Sequence, residues 1–111
     1  MDKSLLAGST ALLLMKLLQQ EDMYGYQMIE ELRRRSDHTF DLKAGTLYPL
    51  LHTLEQQGFV EAWEERGEAG RPRRYYRLTK AGRSQLEKKE AEWRQFSGAV
   101  NRVLNGGGCL G

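Results

Sequence analysis

Between Ala44 and Val60 the chain places small and hydrogen-bonding residues on one side of a helix: Gly45, Thr46, Pro49, His52, Thr53 and Gln56. Leu47, Leu50, Leu51 and Leu54 fall at i, i+3, i+4 and i+7, the spacing of one buried stripe, so the polar set faces away from it. None of that set is Lys, Glu or Arg, the residues a face meeting only water would carry. Its chemistry is hydrogen bonding and close approach, which suits a helix pressed against a partner. A second set follows: Arg66, Arg71, Arg73, Arg74 and Arg77 are five arginines in twelve residues, interrupted only by Glu68. Charge also gathers on exposed hairpin tips for solubility. In a chain of net charge +2, however, this density has the character of a phosphate-binding patch. Catalytic chemistry is absent from the pattern. His38 and His52 have no Cys, Asp or Glu around them at ligand or triad spacing, and Gly106 to Gly108 follow a helix where a phosphate loop would precede one.

The elements that must position these residues come from a chain of 111 residues, enough for one domain with a modest core. With 40% hydrophobic and 29% charged residues it is expected to be globular. The single cysteine, Cys109, supports neither a disulfide framework nor a zinc site within one chain, which fits a reducing, cytoplasmic setting. The apolar run from Leu5 to Leu18 is short for a membrane span and is interrupted by Lys16. Asp2 beside Lys3 and the lack of a small-residue cleavage site argue against a signal peptide. No cofactor, metal or membrane partner is expected.

Taken in order, Ser4 to Gln20 predicts a first helix with too many apolar residues for one stripe, hence one buried on more than one side, either in part against a second subunit or as a single central core helix. A second helix runs from Tyr24-Gly25 to about Arg35, with Met28, Ile29 and Leu32 inward. Glu30 and Glu31 precede Arg34 and Arg35 by four residues, which assigns Arg33-Arg34-Arg35 to a solvated face. Asp37 to Lys43 forms a turn and a short extended piece. The third helix follows and ends at Gly58, a residue able to take positive φ. Pro49 lies later than the position proline tolerates best, so this helix is expected to start nearer Thr46 or to bend. Phe59 to Trp63 and Arg73 to Leu78 predict a two-stranded hairpin around turn residues Gly67, Gly70 and Pro72. Of the adjacent Tyr75 and Tyr76, Tyr75 is expected in the core. Thr79 caps a last helix from Lys80 to about Asn105. Its Leu86, Trp93, Phe96, Val100 and Val103 have the a/d spacing of a coiled-coil seam, weakened at Lys89. Two helices before a Gly-terminated third are helix-turn-helix grammar.

Four segments carry a family resemblance. They are Tyr24-Gly25-Tyr26-Gln27, Gly45-Thr46-Leu47-Tyr48-Pro49-Leu50-Leu51, Leu54-Glu55-Gln56-Gln57-Gly58-Phe59-Val60, and Gly70-Arg71-Pro72-Arg73-Arg74-Tyr75-Tyr76-Arg77-Leu78-Thr79. In this order and spacing the chain resembles the PadR-like transcriptional regulators, specifically the short subfamily with one C-terminal helix. The resemblance implies a mainly α (α+β) fold: a winged helix-turn-helix with a two-stranded β wing over residues 1–79, a long C-terminal dimerisation helix over 80–105, and a flexible tail over 106–111. It also implies a homodimeric repressor, often relieved by a small molecule.

On that basis the third helix of each protomer would enter the major groove of a pseudo-palindromic operator in double-stranded DNA. Gln56 can bond an adenine edge, Thr46 or Thr53 a base or thymine methyl, and His52 a guanine or phosphate, while Pro49 and Gly45 lie on the same face. Lys43, Tyr48 and Tyr24 are candidates for the phosphate backbone, and Arg71, Arg73 and Arg74 for the backbone or adjacent minor groove. Trp93 has two readings that stay open: it packs a dimer seam, or it stacks on a flat aromatic effector, as a tryptophan does in multidrug-binding members of the family. In the second reading Phe96, Leu5, Ser9 and Leu12 would share the space. A winged-helix protein–protein module without an effector is the competing function, and salt dependence separates it from DNA binding.

Overall fold

The computed structural model describes residues 8–66 and 70–106. Within them the order is α1 (Thr10–Gln20), β1 (Met23–Tyr24), α2 (Gly25–Arg35), α3 (Ala44–Gln56), β2 (Val60–Arg66), β3 (Pro72–Leu78) and α4 (Lys80–Leu104). The sheet is antiparallel with strand order β1-β3-β2, so the hairpin strand β3 lies in the middle. Its register runs from Val60 opposite Leu78 to Arg66 opposite Pro72, while Met23 and Tyr24 pair with Tyr76 and Tyr75. The third strand differs from the two-stranded expectation. Two residues have no readable period, and β1 exists because β3 offers a free edge to the chain leaving α1. The expected start of the first helix at Ser4 lies outside the described residues, as do Gly67 and Glu68 of the hairpin tip and the tail from Gly107.

The core forms where the helices and sheet meet. Leu14, Met15, Leu17 and Leu18 from α1 pack with Met28 and Leu32 from α2, Leu47, Leu51 and Leu54 from α3, and Val60, Tyr76 and Leu78 from the sheet. Tyr76, not Tyr75, is the inward tyrosine, at 4% exposure. Alternation puts adjacent strand residues on opposite faces, but only the pairing decides which face is covered. Leu86 is fully buried in this same core and therefore joins α4 to the domain. It is unavailable to a second subunit, so the exposed apolar seam starts at Trp93.

The helix α3 begins at Ala44, earlier than the expected Thr46, with Lys43 as its N-cap residue. Pro49 is therefore in the helix interior. It has no N–H to give, so the Gly45 carbonyl lacks its helical donor. Both residues are on the exposed side, where water can serve that carbonyl. The C-terminal end is a Schellman turn: Gly58 sits at φ +79°, its N–H donates to Glu55 O at 3.0 Å, and the Phe59 N–H donates to Leu54 O at 3.0 Å.

That end is joined directly to the start of α4. The Thr79 hydroxyl donates to Gly58 O at 2.6 Å and accepts from the Gly82 N–H at 3.0 Å, while the Thr79 N–H donates to Phe59 O at 3.1 Å. The expected N-cap is thus a two-sided clamp. Gly82 is needed for the approach: a Cβ there would stand 2.0 Å from the Phe59 carbonyl oxygen. From this junction α4 runs for 25 residues and leaves the domain, giving the molecule extents of 65 × 29 × 21 Å.

Candidate nucleic-acid interface

Gly45, Thr46, Tyr48, Pro49, His52, Thr53 and Gln56 are all exposed on α3. The Thr53 hydroxyl donates to its own helix at Pro49 O, 3.1 Å, leaving its methyl and lone pairs outward. Nothing lies within 4 Å of a Cβ built on Gly45, so no internal packing explains that glycine. Gly25 is the opposite case. A Cβ there would fall 2.2 Å from the Tyr48 hydroxyl oxygen, so the Tyr48 ring lies over the first residue of α2 and depends on its bareness. At the N-cap before it, the Tyr24 N–H donates to Gln27 Oε1 at 3.0 Å. The two tyrosines flank the N-terminus of α2, where backbone N–H groups favour an anion.

The basic residues divide into distinct settings. Lys43 is exposed and pairs with Asp41 at 2.8 Å, and the same carboxylate takes Arg33 at 3.1 Å. These two cations hold Asp41 below the usual carboxylate range, the Lys43 bond contributing most. Arg73 lies over the Tyr24 ring at 4.5 Å. Arg77 lies over the Trp63 ring at 4.5 Å and is within 3.7 Å of Asp22 and 3.6 Å of Glu61. Between them Tyr75 stacks on Trp63 at 5.8 Å and meets Tyr24 edge-on at 5.4 Å. The outer sheet face is thus an aromatic ladder with a guanidinium at each end. Sequence reasoning missed this ladder, because it depends on the cross-strand pair Trp63–Tyr75 and on β1. Arg71 is exposed just before β3 and makes no ion pair among the described residues. Arg74 faces the other way and pairs with Glu55 of α3 at 3.1 Å.

The arginines of α2 behave as a solvated face should. Glu31 receives Arg34 at 2.8 Å and Arg35 at 2.9 Å, and these hydrogen bonds hold its carboxyl down at about 2.

A second feature lies between α1 and the outer half of α4. A cavity of about 880 Å³ is lined by Ser9, Leu12, Trp93 and Phe96, four of the five residues proposed for an effector. Leu5, the fifth, lies outside the described residues. The Trp93 and Phe96 rings are 6.0 Å apart, tilted by 37°. Leu13, Phe40 and the Lys16–Glu90 ion pair (3.2 Å) also line it, beyond the set expected from sequence. The one available signal was Lys16, a lone charge inside an apolar run. Phe96 is nevertheless 61% exposed, and beyond the cavity Val103 and Leu104 are 77% and 75% exposed. No helix among the described residues is long and apolar enough to cross a membrane.

Three helices with a β-hairpin beside the third, and a long helix leaving the domain, define a winged helix-turn-helix protein. Residues 14–88 match the family described as the Transcriptional regulator PadR-like family. A PadR family transcriptional regulator from Eggerthella lenta has a similar structure, with TM-score 0.79 and 35% identity over 91% of this chain and 86% of that one. A transcriptional regulator from Clostridium thermocellum superposes with TM-score 0.82 at 28% identity, covering 89% of this chain and 96% of that one. In sequence, a Mycobacterium tuberculosis transcriptional regulator is 43% identical over 65 residues, 59% of this chain and 57% of that protein. The chain belongs to the PadR-like family of transcriptional regulators.

Proposed function

We propose that the protein is a sequence-specific DNA-binding repressor that acts as a homodimer. The observation that carries this reading is the outward face of α3, where six neighbouring small or hydrogen-bonding residues are exposed and Gly45 has no internal reason to be glycine. A bare Cα there lets a duplex backbone approach closely. Thr46, His52 and Gln56 take the base edges, with Pro49 setting the local surface between them. Tyr24, Tyr48, Lys43, Arg71 and Arg73 hold the phosphates. Lys43 does so by exchanging Asp41 for a phosphate oxygen. The second copy of the chain docks through the distal face of α4, residues Trp93 to Leu104, whose exposed apolar side chains continue a seam spacing. Two copies then present two α3 helices to a two-fold operator.

A flat aromatic effector relieves repression by entering the cavity beside Trp93, which the second copy closes. Its size suits a drug-sized molecule. The test of DNA binding is a mobility shift with fragments of the protein's own promoter region over a salt series. Sequence-specific retention with a log-linear loss of affinity is expected. Retention by no fragment at low salt rejects the repressor reading and leaves the protein–protein module. The effector is tested separately in a Trp63→Phe background, where an aromatic dye should quench the remaining Trp93 emission. Unchanged emission at high dye concentration rejects the effector alone.

A further inference from the structure

The parity of β3 sorts the wing arginines into two groups. Within β3, Arg73, Tyr75 and Arg77 alternate with Pro72, Arg74, Tyr76 and Leu78, and Arg71 stands just before the strand. Tyr76 and Leu78 are buried, so Arg74 shares the core-facing side of the strand. From there one of its terminal nitrogens meets both Glu55 carboxylate oxygens, at 3.1 and 3.2 Å, and its guanidinium lies 5.8 Å from the Tyr76 ring. Glu55 and the Tyr76 hydroxyl both raise the Arg74 pKa, with Glu55 the larger influence. Glu55 is half-buried in the last turn of α3, adjacent to Gln56. Among the described residues, this is the one ion pair between the hairpin and α3.

We propose that Arg74 is a positioning residue and not a phosphate ligand: with Glu55 it fixes the angle of α3 against the wing, and so sets sequence selectivity. The inference rests on the DNA-binding reading above. A guanidinium whose charge is already balanced by a carboxylate neutralises no phosphate and so displaces none of the cations condensed on a duplex. A phosphate could recruit it only by displacing Glu55, which is more buried than the Asp41 beside Lys43 and ties Arg74 to a second element. The pair is worth little as a surface contact, but it joins the two elements whose relative orientation decides which base edges His52 and Gln56 can reach. Arg73, on the other parity, and Arg71, just before the strand, supply the backbone charge.

The test uses the full chain and a duplex that it enriches from a randomised pool, with a shuffled duplex as control, titrated over a salt series. Arg74→Gln and Glu55→Gln should each lower the ratio of selected to shuffled affinity by roughly two- to fivefold, with the salt slope unchanged. The double variant should lose no more than either single one, because the residues act as a unit. Arg71→Gln and Arg73→Gln should instead reduce the slope by about 0.9 for each phosphate no longer neutralised, and leave the ratio intact. Melting temperatures within a few degrees of the parent show that the variants are folded. If Arg74→Gln lowers the slope as Arg71→Gln does, Arg74 is a phosphate ligand and the proposal falls. It falls equally if neither slope nor ratio moves. A parent protein that enriches no sequence rejects the DNA-binding reading itself, and this inference with it.

Discussion

The outward faces of α3 and of distal α4 are both left open by one copy of the chain, but with opposite chemistry. On α3 the exposed residues are small or hydrogen-bonding, and the buried stripe Leu47, Leu51, Leu54 lies behind them. On distal α4 the exposed residues are Trp93, Phe96, Val100, Val103 and Leu104. The first face loses little in water and gains directional bonds when a polar surface arrives. The second is costly in water at every moment and is stabilised by any apolar partner. In the proposed function, permanent association therefore falls to α4, and reversible, sequence-dependent association to α3.

The largest expected effect comes from breaking the apolar face. Phe96→Glu with Val103→Glu should convert a dimer to a monomer in analytical ultracentrifugation. Affinity for the selected duplex should fall by about two orders of magnitude or more, because binding to the second half-site is no longer intramolecular. A dimeric double variant would remove the seam from this part of α4. Next is the junction between the two faces. Gly82→Ala forces a methyl against the Phe59 carbonyl and should cost roughly 1–3 kcal/mol in urea unfolding, as overpacked sites do. Third, Gln56→Ala and His52→Ala should each lose about 1–3 kcal/mol of discrimination between selected and shuffled duplex without moving the melting temperature. An equal loss on both duplexes would place these side chains on the backbone.

Fourth, Gly45→Ala separates folding from binding. Its Cβ meets nothing inside the chain, so thermal stability should rise by up to ~1 kcal/mol from helix propensity while duplex affinity falls. A variant that gains stability and binds unchanged would show that no duplex comes near residue 45. The smallest effect concerns α2. Arg34 and Arg35 depress the Glu31 carboxyl from its ordinary 4.5 to about 2, so its contribution to stability is present above pH 4.5 and lost as pH falls toward 2. Glu31→Gln should flatten that part of an acid-unfolding curve monitored by circular dichroism, with little change at neutral pH.

Much of this was legible in the sequence, because it is local grammar. Gly58, Thr79 and the leucines of α3 each announce an element by type and spacing, and the four helices and the hairpin follow. What was not legible depends on pairing. Strand alternation says that Tyr75 and Tyr76 face apart, but only β1 and the core show that Tyr76 is inside. The same parity hides the difference between Arg73 and Arg74, which are identical residues in one basic run. Leu86 has seam spacing yet belongs to the core, because a heptad looks the same whether the partner is the chain's own interior or another copy. Pro49 misled in the other direction. The rule against interior proline is about a missing hydrogen bond, and on an exposed face beside Gly45 that loss is small. Phe40, Lys16 and Glu90 come together at the cavity from three separate segments, and no spacing could have joined them.

The clamp formed by Thr79, Gly58 and Gly82 has a mechanical consequence. Two hydrogen bonds, from the Thr79 hydroxyl to Gly58 O and from the Thr79 N–H to Phe59 O, tie the end of α3 to the start of α4 across the hairpin that separates them in sequence, so the two helices form one bent bar with its bend at Thr79. Trp93 sits eleven residues beyond Gly82, about 16 Å along the bar at helical rise. An effector wedged in at Trp93, as proposed above, would have that length as its lever arm on the junction that carries α3.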